Sequence, residues 1–392
     1  MPVSLRWPRG LDAAGFLARH WQQQPRLLRQ AFDPDAFNLP DADTIAGLSL
    51  DAQTESRLVQ HRRYRAWTLA QGPFTAEQLS GLPARDWTLL IQDTDSLLPR
   101  AARLFELVEF LPAWRRDDVM ISIAAPGGTV GPHVDQYDVF LVQLQGTRQW
   151  RIGSRRHDAA LLRGAPLPVL RHFEATRSWT LTPGDILYLP PGIPHFGIAG
   201  DGAAPCITAS LGFRAPDAGE LAAVMLEERL SGATLPRYAD AGLAADAARH
   251  GELDEAVLRR LQDLLAALPD ERHALGRAMG RLVTDIKPWL TPRPRRGAPT
   301  GQGLERALAG GRVLVLDPAC RAAWLRRGAA AELFVNGECF ELPRDCYALA
   351  RALAGHRRRV AARAVPRGRA RGAGLSLLAE LFRRGWLDWA KP

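Results

Sequence analysis

Lysine is nearly missing from this chain: its 392 residues hold two lysines against 49 arginines. With alanine, glycine and proline so abundant, that ratio reads as the codon bias of a GC-rich genome, which selects arginine over lysine and leaves open where charge is placed. Cysteine is scarce as well. Cys206, Cys320, Cys339 and Cys346 share no CxxC spacing, which speaks against a cysteine zinc site or a disulfide framework and leaves buried free thiols. Nowhere do about 18 apolar residues run together, so no membrane contact is expected. The opening MPVSLRWPRGLDAAGFLARHW has no continuous apolar stretch of the kind a secretion signal carries. A cytoplasmic protein is the expectation.

What is present is a globular balance, 46% hydrophobic and 24% charged, which excludes disordered and fibrous classes. At about 100 to 200 residues per domain, the length calls for two or three domains. The net charge of +9 is unevenly distributed: residues 285–392 hold 21 basic and 9 acidic side chains, the preceding residues 30 and 33. A one-sided basic region favours RNA, the ribosome or another anionic partner, with a solvated face as the plain alternative.

Residues 12–110 mix helical and strand patterns, with a short amphipathic helix from Asp12, a strand at Arg26–Arg29 and another in DWTLLIQD. From 117 to 214 short apolar runs (DVMISIAA, DVFLVQLQ, RQWRIG, SWTLTPGDILYLP, CITASLGF) alternate with Gly and Pro turns, the texture of an antiparallel barrel or jelly roll. After Pro216 the period becomes helical, with Val257, Leu261, Leu264, Leu265 and Leu268 on one face and Asp270 placed to cap a further helix. Such narrow helices need a partner subunit or the chain's own barrel to pack on. KPWLTPRPRRGAPTGQG (287–303) reads as a linker or extended arm. Beyond it lie a hairpin turning at Asn336-Gly337 and two short helices. This is winged-helix material, and winged helices bind proteins as well as nucleic acids.

The chemistry concentrates in GPHVDQYDVFLVQLQGTRQW (131–150). Residues i and i+2 of a strand share a face, so His133 and Asp135 can aim an imidazole nitrogen and a carboxylate oxygen at one point. A third ligand, His195, follows the proline turn in PPGIPHFG, and in a jelly roll strands that far apart in sequence can face one another inside the barrel. Two histidines and a carboxylate on one face of an ion leave positions open, the facial triad of non-haem Fe(II) oxygenases; zinc on the same ligands would favour hydrolysis. Arg148, starting a strand and sharing a face with Trp150, is costly inside a barrel unless it meets an anion, and its fork suits a carboxylate such as the distal one of 2-oxoglutarate.

In these stretches, and in FLARHWQQQPRLLRQAF near the start, the chain resembles the JmjC-type ribosomal oxygenases, above all the bacterial branch that hydroxylates an arginine of a large-subunit ribosomal protein. The resemblance implies a mixed α+β architecture. Residues 1–216 would form a double-stranded β-helix, the jelly-roll or cupin-like JmjC barrel; 217–284 a small helical dimerisation domain; and 285–392 a basic winged-helix-like domain able to touch RNA or the ribosome. It implies Fe(II) held by His133, Asp135 and His195, and 2-oxoglutarate as cosubstrate bound by Arg148 and, as a second contact, Ser122. The reaction implied is hydroxylation of an arginine β-carbon in a large-subunit ribosomal protein by a homodimer. A cationic target should meet carboxylates or aromatic faces, for which Tyr137 and Asp138 stand beside the triad. The same chemistry on histidine or methyl-lysine, a cupin-like hydrolase or isomerase with another metal, and a binding protein with a vestigial barrel remain the alternatives.

Overall fold

The computed structural model describes residues 3–64, 66–156, 158–202, 204–230, 237, 255–266, 271–290, 292–295, 297–328 and 330–390. Asp270, the expected helix cap, lies outside them. Twelve strands build the N-terminal, strand-rich unit: β1 (Arg26–Leu28), β2 (Ser56–Arg62), β3 (Ala66–Gln71), β4 (Trp87–Ile91), β5 (Arg116–Ala124), β6 (His133–Val134), β7 (Asp138–Gln145), β8 (Arg148–Ile152), β9 (Arg177–Leu181), β10 (Ile186–Leu189), β11 (Pro194–Ala199) and β12 (Cys206–Phe213). Eight form one sheet in the order β1-β10-β7-β12-β5-β4-β2-β3, and four a second in the order β6-β11-β8-β9.

The two faces of the larger sheet do different work. Its outer face, through Ile121, Ile123, Phe140, Val142, Tyr188, Ala209 and Leu211, packs on Phe16, Leu28, Phe32, Phe37 and Ile45 of the N-terminal segment. Its inner face meets the smaller sheet through Val139, Leu141, Leu187 and Leu189 against Trp150, Ile152 and Leu181. Burial on both sides is why DVFLVQLQ reads as an almost unbroken apolar run rather than an alternation. Strands β2 and β3 do not stand out in the sequence, because RLVQHR holds only two apolar residues among charged and polar ones, and AWTLAQ has no strict apolar/polar alternation. They form because β2 pairs with β4 on one edge and β3 on the other.

Helices Ala218–Leu230, Glu255–Ala266 and Glu271–Thr284 follow. The last of these packs within its own chain, on the three-stranded sheet of Ala322–Arg327, Ala330–Val335 and Glu338–Pro343. A Cβ at Gly276 would collide with Leu325 and one at Gly280 with the Phe334 ring, so small residues let this helix approach closely. Arg277 pairs with Glu332 at 3.1 Å, and Arg281 with Glu228 at 3.1 Å. At the hairpin turn, Asn336 and Gly337 have φ of 51° and 78°, the left-handed pair that an Asn-Gly turn supplies. Cys206, Cys320 and Cys346 are buried free thiols and Cys339 is half-buried. No helix among the described residues is long and apolar enough to cross a membrane.

Candidate metal centre and anion clamp

His133 and His195 are neighbours in one sheet, directly paired across β6 and β11. Strand pairing thus brings the two histidines together, with ring centroids 4.2 Å apart. Asp135 follows β6 at once, and its oxygens lie 3.9 Å from His133 Nε2 and 3.5 Å from His195 Nε2. Ligand atoms of all three lie within 4.8 Å of one another, the only such group among the described residues.

The second nitrogen of each imidazole shows which one is free. His133 Nδ1 is 3.0 Å from the Gly131 carbonyl and His195 Nδ1 2.9 Å from the Ile193 carbonyl. A carbonyl only accepts, so each Nδ1 carries the proton, and each Nε2 presents its lone pair toward Asp135, the arrangement metal-ligating histidines adopt. Burial, then the neighbouring His133, pushes His195 down to about 4, with Asp135 acting the other way. It is therefore a neutral ligand across the physiological range. One anionic and two neutral donors with several coordination positions left open suit a divalent iron.

Arg148 lies on the inner face of β8 in register with Ala199, as Trp150 is with Gly197 and Ile152 with His195. The Trp150 ring fits because residue 197 is glycine; a Cβ there would fall within contact distance of the indole. Arg148 is 5% exposed, and its Nε and Nη2 have no hydrogen-bond partner. A buried guanidinium with two idle donors, four register positions from His195 along the same strand pair, has the donor geometry that a bidentate carboxylate would satisfy. Ser122 sits on the facing inner surface of β5, buried, with its hydroxyl donating to the Thr208 carbonyl at 3.2 Å.

Asp138 does not serve as expected. Strand alternation places it with Phe140 on the outer face of the large sheet, where it is fully buried. There it accepts from Tyr188 Oη at 2.6 Å, Arg115 Nη2 at 3.0 Å and Gln22 Nε2 at 3.2 Å. Its role is to tie the N-terminal segment to the barrel. Tyr137, one residue earlier, is exposed. Burial of its hydroxyl, then the carboxylates of Asp135 and Asp118, keep it protonated.

The residue that sequence reading passed over is Asp118. It shares the inner face of β5 with Met120 and Ser122, since Val119, Ile121 and Ile123 belong to the outer core. The signal was present in RDDVMIS as an acid two and four residues from Met120 and Ser122, but DD at a strand start is also ordinary turn chemistry.

A JmjC domain model matches residues 103–221, a ROXA-like winged helix model matches 253–388, and an AraC-like ligand binding domain model matches 169–282. The chain is 34% identical over 348 residues to the ribosomal protein uL16 3-hydroxylase of Escherichia coli, covering 87% of each. It is 33% identical over 210 residues to a probable ribosomal oxygenase of Haemophilus influenzae, covering 53% of this chain and 50% of the other. Among solved structures it superposes on E. coli YcfD with a TM-score of 0.85 at 31% identity over the whole of both chains. A structure of the same ribosomal oxygenase with cobalt and 2-oxoglutarate gives a TM-score of 0.80 at 30% identity, over 99% of this chain and all of that one.

Proposed function

Because the chain belongs to the JmjC ribosomal oxygenases, we propose that it hydroxylates the β-carbon of an arginine in a large-subunit ribosomal protein. Its metal is Fe(II) and its cosubstrate 2-oxoglutarate. The observation that carries the reading is the convergence of His133, Asp135 and His195, with both Nε2 lone pairs inward, beside the idle donors of the buried Arg148.

In this reading His133, Asp135 and His195 hold the metal. Iron and 2-oxoglutarate together supply the oxidising power to break a C–H bond with dioxygen, releasing succinate and carbon dioxide. The protein decides which bond is broken. Arg148 orients the cosubstrate through its distal carboxylate. Ser122 helps by turning its hydroxyl away from Thr208. Trp150 and Ile152 wall the inner face and exclude water. The target guanidinium meets the hydroxyl of Tyr137 and the carboxylate of Asp118, which fixes the β-carbon near the metal.

Incubating the protein with Fe(II), 2-oxoglutarate and a candidate large-subunit ribosomal protein should add one oxygen atom to a single arginine, read by tandem mass spectrometry. An oxygen on histidine, or loss of methyl groups from lysine, would replace the arginine reading with the related chemistries. Turnover of a substrate without 2-oxoglutarate would favour the hydrolase or isomerase alternative.

Residues 1–216 form the catalytic unit in this proposal, 217–284 the dimerisation domain and 285–392 the winged-helix-like domain. Leu258, Leu261 and Leu265 on helix Glu255–Ala266, with Leu226 on Ala218–Leu230, leave an apolar row exposed, as a homodimer interface would. The C-terminal domain exposes Arg351, Arg357, Arg359, Arg363, Arg367 and Arg369 with no acidic residue between Asp345 and Glu380, a surface suited to ribosomal RNA. Action on a ribosomal protein makes the cytoplasm its place of work. Sedimentation velocity checks both contacts. The wild-type protein should run as a dimer that carries a ribosomal RNA fragment with it at low salt and releases it at high salt. The double variant Leu261→Glu/Leu265→Glu should run as a monomer.

A further inference from the structure

The chain's two lysines make each one conspicuous, and Lys287 lies half-buried at the seam between the barrel and the C-terminal region. Its Nζ lies 2.7 Å from Asp93 Oδ1 and 3.5 Å from Asp118 Oδ2, with side chains 14%, 4% and 11% exposed. Two residues on, Trp289 Nε1 donates to the other oxygen of Asp93 at 3.1 Å. The segment that sequence reading treats as a linker is thus pinned, by a cation and an indole N–H, to the catalytic unit.

The carboxylates around Lys287 are not equally occupied. Asp117 is engaged by Arg321 at 2.6 Å and Arg214 at 3.0 Å. Asp93 has Lys287 and Trp289. Asp118 has the longer Lys287 contact and a 3.3 Å hydrogen bond from the Asp93 backbone N–H, both on Oδ2. Its Oδ1 lies over Gly212 of the neighbouring strand, 3.3 Å from where a Cβ would stand. Oδ1 is therefore the uncommitted oxygen. One lysine between two carboxylates leaves one negative charge, on the strand face shared with Ser122 and close enough to Tyr137 to raise its pKa.

We infer that Lys287 is a positioning residue for substrate: by holding Oδ2 of Asp118 against Asp93, it keeps that carboxylate charged and its Oδ1 free to receive the guanidinium of the target arginine. The inference rests on the arginine reading proposed above. It makes the C-terminal region part of substrate selection, because Lys287 and Trp289 belong to the chain that leads into that region.

The groups facing Asp118 are Asp117 on its own strand, Asp93 and Asp95 at the turn after β4, Lys287 from the linker and Tyr137 before β7. Burial pushes Asp118 up to about 7; Lys287 lowers it, whereas Asp117, Asp93 and Asp95 raise it. A cationic peptide needs the carboxylate, so its binding is present above about 7 and lost as pH falls through that value. Removing Lys287 removes a lowering influence and moves this acid limb to higher pH. Removing the Asp93 charge removes a raising influence and moves it to lower pH.

The test measures kcat/KM for an arginine peptide against pH in the full-length wild type and in Lys287→Gln, Lys287→Arg and Asp93→Asn. Lys287→Gln should raise the peptide KM about tenfold near pH 7 and shift the acid limb upward, with kcat and the KM for 2-oxoglutarate little changed. Lys287→Arg should recover most of the loss. Should Lys287→Gln be too unstable to assay, the downward shift in Asp93→Asn decides. Acid limbs that coincide with wild type in the variants, or a peptide KM in Lys287→Gln that matches wild type, would overturn the positioning role alone. A wild-type enzyme that leaves arginine unoxidised overturns the parent reading as well.

Discussion

Enzyme carrying Asp135→Ala is expected to lose all detectable hydroxylation and to bind Mn(II) or Fe(II) more than about a hundredfold more weakly. Removing only an outer partner of a metal ligand typically costs about 10- to 100-fold in affinity, and Asp135 is the sole anionic donor of the three. Without it, two neutral imidazoles face a dication with no charge to neutralise it. The fold should survive. The Asp135 side chain is one-fifth exposed, and the bond its backbone carbonyl accepts from the Gly192 N–H does not involve the side chain. Calorimetric titration with Mn(II), alongside a melting curve, separates lost metal binding from lost structure. Normal turnover by Asp135→Ala would remove the metal assignment. Acidity should act on the same site through His195. Its folded pKa of about 4 lies below the ordinary 6.5, so the unfolded chain takes up the proton first. Stability that this histidine contributes is complete above about 6.5 and is lost as pH falls toward about 4.

The second large effect is expected at Arg148. Arg148→Met should raise the KM for 2-oxoglutarate by at least about 30-fold, since truncating one partner of a buried charge pair costs about 2–5 kcal/mol and each 1.4 kcal/mol is a factor of ten. Two observations fix the sign of a companion effect. The guanidinium is 5% exposed and has two donors without partners, so it destabilises the ligand-free fold. Methionine of similar reach should leave that fold as stable or more stable. By contrast, 2-oxoglutarate should raise the melting temperature of the wild type, by linkage to the folded state, and leave Arg148→Met unmoved. Arg148→Lys should fall between, because a point charge cannot reproduce the planar fork. A thermal shift in Arg148→Met equal to that of wild type would show that another group binds the cosubstrate. Ser122→Ala serves as the internal comparison and should have a smaller effect, since its hydroxyl already donates to Thr208.

Legibility in the sequence followed how local each cause was. His133, Asp135 and His195 were readable because an HxD at a strand start and a histidine after a proline turn are decided by i, i+2 alternation and a rigid bend. The inward placement of Arg148 was readable because it shares a strand face with Trp150. Asp138 looked equivalent to Tyr137 from its neighbours in the chain. Its fate was decided by Tyr188, Arg115 and Gln22, which come from three separate elements.

By itself, the sequence determined the character of each part: a strand-rich unit before Pro216, helices after it, a hairpin at Asn336-Gly337, and a basic surface at the end. Residue spacing and turn chemistry act over a few positions, so they leave their mark in the order of residues. Only the tertiary structure decided that His133 and His195 are adjacent in one sheet, that β2 and β3 extend the other, and that helix Glu271–Thr284 lies on its own chain's hairpin. It also decided that Lys287 reaches back to Asp93 and Asp118, 194 and 169 residues away. Those outcomes depend on strand register and on which buried charges find partners, and both are settled by contacts between segments whose separation along the chain carries no information about their distance in space.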